Sequence, residues 1–305
     1  MGKIKNYFSW LSTIAKYRVT KRIDNIKNKP LVSLDDSNDT FYMEYDDISF
    51  SSAYISPLTT CILYNGLLVK NGIKKDYSKE FYSLIEEALK IKNGELSYKV
   101  LNHICIAYIK AFNSLNCAFM NPSKESRYIM SSCSSKINYL LNSVVDDAIY
   151  SLPEKFKGKK IMIISNHASL IKVQFARLKA SKKFKDKFDY SLFAINPDLV
   201  IEHDDKSVYF ESIDSLRMAV LTFQFDICLI HDDIYALPII PFVSKLNRKV
   251  LVFDDSIYSI FNIVKNCEDI SETNSKLLLS LEEYDRENIE ASGETKFVNS
   301  PDVFK

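Results

Sequence analysis

Four short apolar runs in this 305-residue chain each end on side chains able to do chemistry. KKIMII stops at Ser165-Asn166-His167, and YSLFAI stops at Asn196-Pro197-Asp198. DICLI stops at His231-Asp232-Asp233, and KVLVF stops at Asp254-Asp255-Ser256. Imidazoles and carboxylates are the groups that move protons near neutral pH. Paired carboxylates also hold Mg²⁺ or Mn²⁺ beside substrate phosphates. Without such a cation a carboxylate repels a diphosphate, by about 1 kcal/mol at 4 Å in water and several-fold more when desolvated. Aspartates at a strand end that opens a helix have a plainer use, because they cap the first backbone amides. Three readings of the doublets therefore stand together: a metal or phosphate site, capping alone, or a phosphate site that has been lost.

These runs alternate with helical patterns. Strands over 159–165, 190–195, 226–231 and 249–253 are each followed by a helix-like segment, the last being SIYSIFNIVKN. The strands are too continuously apolar for a one-sided sheet and predict a parallel α/β sheet covered on both faces. The ligand crevice of such a sheet lies at the carboxyl ends of its strands, where the strand order reverses. Pro238 and Pro241 early in the third helix leave His231 to Leu237 as a loop at its mouth.

The first half has a different rhythm. Apolar stripes over 81–89, 100–112 and 137–149 read as helices, with CILYNGLLV ambiguous between periods. The expected organisation is a basic amphipathic helix over 1–26, a mainly helical region over 27–152, a Rossmann-like domain over 153–268 and a polar tail over 269–305.

Composition narrows the functional classes. Hydrophobic residues are 47% and charged residues 26%, so most of the chain should fold around a core. A formal net charge of +1 argues against a dedicated nucleic-acid binder. Six scattered cysteines without a CxxC pair read as core thiols of a cytoplasmic protein. No apolar run is long enough to span a bilayer, but Ile4, Tyr7, Phe8, Leu11 and Ile14 line one stripe of a lysine-rich helix. Such a helix packs on its own core or lies on the inner face of an anionic membrane. Six glycines leave little backbone for phosphate loops, and no Walker A, GxGxxG, GxSxG or HExxH pattern is present.

GKKIMIISNHASLIKVQ, followed by FDICLIHDDIYALPIIPFVSKLNRKVLVFDD, resembles the strand-and-helix pattern of the bacterial GT-D type glycosyltransferases and their relatives from polysaccharide clusters. The likeness runs over residues 155–265. It implies transfer of a sugar from a nucleotide-sugar donor to a glycan or lipid-linked acceptor in surface-polysaccharide synthesis. By position, Ser165, Asn166, His167 and Gln174 would line the first loop on the nucleotide, with Tyr235 in the second. Asp254 and Asp255 replace the family's Gly-Gly, and Leu237 replaces its helix-opening glycine. Asp233, Asp254 and Asp255 would hold a divalent metal, Mg²⁺ or Mn²⁺. The family's early Arg and Glu are missing between Ile48 and Thr60, so Asp232 and His231 take the catalytic role on position. The rival class is a catalytically inactive member acting as a scaffold or partner in glycan assembly.

Overall fold

The computed structural model describes residues 50–92, 94–134, 137–141, 152–200, 208–264 and 279–280. The amphipathic segment over 1–26, the acidic stretch over 28–47, His203 and nearly all of the tail over 269–305 lie outside the described residues.

The described residues build one seven-stranded sheet, all parallel, plus a two-stranded pair. In chain order the strands are β1 (Ser51–Ile55), β2 (Cys117–Met120), β3 (Asn138–Leu141), β4 (Lys160–Ile164), β5 (Ser191–Ile195), β6 (Ile227–His231) and β7 (Lys249–Phe253). Across the sheet they run β3-β2-β1-β7-β6-β4-β5. The connecting helices are α1 (Pro57–Lys70), α2 (Lys79–Ala88), α3 (Tyr98–Phe112), α4 (Lys124–Ser132), α5 (Leu152–Lys155), α6 (Ala168–Ala180), α7 (Pro197–Val200), α8 (Val208–Leu221) and α9 (Ala236–Lys245).

Alternation along each strand feeds two hydrophobic layers. Met162, Ile164, Cys228, Ile230, Val250 and Val252 join the layer beneath α1, α2, α3, α4, α8 and α9. Their neighbours Ile161, Ile163, Ile227, Leu229, Leu251 and Phe253 join a second layer with α6, Phe156, Phe188 and Phe261. Direction and face go together. Steps from β1 to β2, and from β6 to β7, run one way and carry helices on the first face. The step from β4 to β5 runs the other way and carries α6 on the second. A single crossover hand demands this pairing. The order reverses between β4 and β6, which are neighbours in the sheet.

The four strands expected in the second half are all present. The expected division between halves is not visible in the sheet, because β1, β2 and β3 extend the same sheet from residues before 142. The described part of 27–152 is mainly helical, yet it supplies those three strands. CILYNGLLV lies within α1, opened by Ser56 as N-cap and Pro57 in the first turn. The stripe expected as a helix from Ile137 begins instead as β3. The helix expected after β7 is a 3₁₀ segment, Asp255–Phe261, ended by Asn262 in the left-handed region (φ 54°). Among the described residues, no helix is long and apolar enough to cross a membrane.

One glycine sets a helix contact on the first face. A Cβ on Gly66 of α1 would stand 2.8 Å from Cβ of Cys105 on α3. That neighbour is a fixed stub and not a flexible tip, so the helices themselves must part. Gly66→Ala is expected to destabilise the fold by about 1–3 kcal/mol through overpacking, despite alanine's better helix propensity. Urea unfolding midpoints check this, and an unchanged or raised midpoint would refute the contact.

Candidate functional site

An all-parallel sheet brings every strand's carboxyl end to one edge, and here the polar tips divide into two groups along it. The second-face group centres on a residue the sequence did not single out. Tyr258, 2% exposed in the 3₁₀ segment after β7, places its hydroxyl 2.8 Å from Nδ1 of His167 and 3.3 Å from Oγ of Ser165. Oγ of Ser165 in turn accepts from the His167 backbone amide at 3.2 Å. A hydroxyl both donates and accepts, so Ser165, Tyr258 and His167 can form a continuous relay from β4 to β7. The His231 ring lies against the same tyrosine, with centroids 5.1 Å apart, and the His167 ring meets it edge-on at 5.4 Å. Nε2 of His231 is 3.0 Å from Oδ1 of Asp255. A carboxylate at that nitrogen orients the ring.

The first-face group centres on Asp232. Its Oδ1 accepts from Thr59 Oγ1 at 3.3 Å, and the Ser56 side chain is a second hydrogen-bond partner. Both partners stand at the entry to α1, and the Asp232 amide donates to the Phe253 carbonyl at 2.7 Å. Asp232 keeps part of its surface open, yet most of its surroundings are protein. Burial, followed by the neighbouring Asp233 charge, pushes its carboxyl up to about 7, against the pull of Ser56, His231 and Thr59. Burial likewise raises Asp233 to about 6, opposed first by the Tyr235 amide.

The loop carrying both carboxylates is held from below. The Ile234 carbonyl accepts from Tyr108 of α3 at 2.8 Å and from Tyr209 of α8 at 3.3 Å, both through buried hydroxyls. Tyr235 stacks on Tyr209 with centroids 5.6 Å apart and opens α9. It is 7% exposed, and burial pushes its hydroxyl up to about 12.

The sequence-expected residues thus fare differently. Ser165, His167, His231 and Asp255 come together around Tyr258. Asn166 is exposed beside them. Asp232 has its hydrogen-bond partners on the α1 side of the sheet and His231 on the α6 side, although His231 is near enough to favour the Asp232 charge. Gln174, expected to line the first loop, is fully buried in α6 and donates to the Asn262 carbonyl at 3.4 Å. It ties α6 to the end of the 3₁₀ segment.

The three expected metal ligands are also spread. Asp233 accepts from the Tyr235 amide at 2.7 Å and Asp254 from the Ser256 amide at 3.0 Å, each closing a local turn. Asp255 faces His231. Among the described residues, no group of three or more His, Cys, Asp or Glu is placed to hold a metal ion. Ser56, Thr59 and Tyr258 were missed by reading outward from strand ends. Only the Ser-Pro start of α1 offered a signal, and it marked a cap.

Comparison of the chain with models of protein families, with curated proteins and with solved structures gives no match.

Asp232 titrates in a predictable direction. The folded chain holds this proton more tightly than the unfolded one, so the contribution to stability falls as pH rises from the ordinary value of 3.8 to about 7. Asp232→Asn is expected to exceed the parent in stability above neutral pH by about 1–3 kcal/mol, the gap closing in acid. Urea unfolding across that window measures it, and a gap constant with pH would show that burial does not perturb this carboxyl.

Proposed function

We propose that this chain is a glycosyltransferase-like enzyme, moving a sugar from a nucleotide-sugar donor to a hydroxyl acceptor. The observation that carries this reading is Asp232. It is a strand-edge carboxyl tuned close to neutrality, set between two hydroxyl side chains and held on a loop braced by two tyrosines. A base that activates an alcohol works best with its pKa near the working pH. The acceptor hydroxyl gives its proton to Asp232 as its oxygen bonds to the sugar's anomeric carbon. The bond from that carbon to the donor phosphate breaks, and the nucleoside diphosphate leaves with the electron pair. The donor sits at the β4/β6 reversal beside His167 and Tyr258, where the Asp255 carboxylate is already engaged by His231. The likeness of residues 155–265 to GT-D type sequences supports the same assignment.

A second reading has its own support. Asp233 and Asp254 are each engaged by a local backbone amide, which is what capping alone requires. On that reading the chain is an inactive scaffold or partner in glycan assembly.

Calorimetric titration with a panel of UDP-sugars, with and without Mn²⁺, separates the two. Saturable binding is expected, and Asp232→Asn should keep it while transfer to acceptor falls by about 10²–10⁴-fold. If no donor saturates the protein under either condition, the enzyme reading falls and the scaffold reading stands.

A further inference from the structure

The far side of the second layer has a charge pattern that the site does not use. Between Lys155 and Asp189 stand ten lysines, one arginine and two aspartates, in a chain whose formal net charge is +1. The fold gathers them. The Gly158 amide donates to the Asp189 carbonyl at 2.9 Å, and Lys179 Nζ reaches the Tyr190 carbonyl at 2.9 Å. The lysines ahead of β4 and those of the turn after α6 therefore share the amino-terminal edge of β4 and β5. Lys157, Lys159, Lys182 and Lys185 are all exposed there. Asp226, just ahead of the neighbouring β6, already accepts from the Lys160 amide at 2.8 Å and lies 3.9 Å from Arg248. The outer stripe of α6 continues the surface, with Lys172 and Arg177 flanking Val173, which is 56% exposed, and Ala176.

We propose that this face docks on an anionic lipid surface. Three features favour lipid over a nucleic acid. Lysine ammoniums are point charges suited to diffuse attraction, whereas planar, bidentate phosphate recognition favours arginine. The aromatic rings within the patch are covered by its own cations: Lys179 stands 5.5 Å over Phe175 and Lys183 5.1 Å over Phe184, so neither ring is offered for base stacking. The rest of the chain is net acidic, given the overall balance of +1, which suits contact with a plane through one face and opposes wrapping by a long polyanion. Val173 and Ala176 supply a small apolar ridge that can enter the headgroup layer between the lysines. This inference does not rest on the sugar-transfer reading.

Co-sedimentation of the full chain with vesicles tests it, comparing phosphatidylcholine alone with phosphatidylcholine containing phosphatidylglycerol. The chain is expected to sediment with the anionic vesicles only and to be released by salt. The triple variant Lys157→Glu, Lys182→Glu, Lys185→Glu should weaken that partitioning by about 100-fold. A control triple of equal charge change on the first face, Lys70→Glu, Lys75→Glu, Lys99→Glu, should weaken it by far less, and both triples retain the basic segment over 1–26. Equal losses in the two triples would assign binding to net charge and overturn the proposal. So would indifference of the parent chain to phosphatidylglycerol, a readout that needs no variant. Tighter capture of single-stranded RNA than of anionic vesicles would overturn it in favour of a nucleic-acid face.

Discussion

Met162 and Ile164 meet one hydrophobic layer, while Ile161 and Ile163, one residue away, meet the other. A strand that must satisfy two layers at once has few polar positions to spare along its length. Its chemistry is displaced to its tips, and because every strand of the sheet is parallel the tips collect at one edge. The reversal of strand order between β4 and β6 puts α6 and α9 on opposite faces of the sheet, with His167 at the start of α6 and Asp232 in the loop before α9. Double-sided burial thus governs both the fold and the location of reactive groups.

The same constraint explains what could be read in advance. KIMII, ICLIH and KVLVF are buried on both faces and announce themselves as apolar runs bounded by polar tips. β1 and β2 are equally buried but carry no such signal. In SSAYI, Ser51 and Ser52 are 1% and 2% exposed, and Ser51 is satisfied by the Asn116 side chain at 3.0 Å. CAFM is only four residues long. In β3, NYLL falls within a stripe whose spacing suits a helix, so sheet pairing overrides local periodicity.

The site was legible to a similar degree. Strand-end reasoning found His167, His231, Asp232 and Asp255, because parallel topology alone brings them to one edge. It could not find Tyr258, which reaches that edge only because the segment after β7 winds as a 3₁₀ turn. Nor could it tell that His231 and Asp232, adjacent in sequence, would serve opposite faces. That separation follows from the alternation of the pleat continuing past the end of β6. Gln174, expected by resemblance to line the first loop, instead serves an interior contact with Asn262.

The double acceptor at Ile234 ties these threads together. One carbonyl oxygen receives hydroxyls from helices whose contributing residues stand 126 and 25 positions away along the chain. A carbonyl has two lone pairs, and both are directed here into the helical layer. The acidic loop is consequently fastened at one point to both α3 and α8. Displacement of the loop therefore either carries α3 or α8 along or gives up one of these two hydrogen bonds.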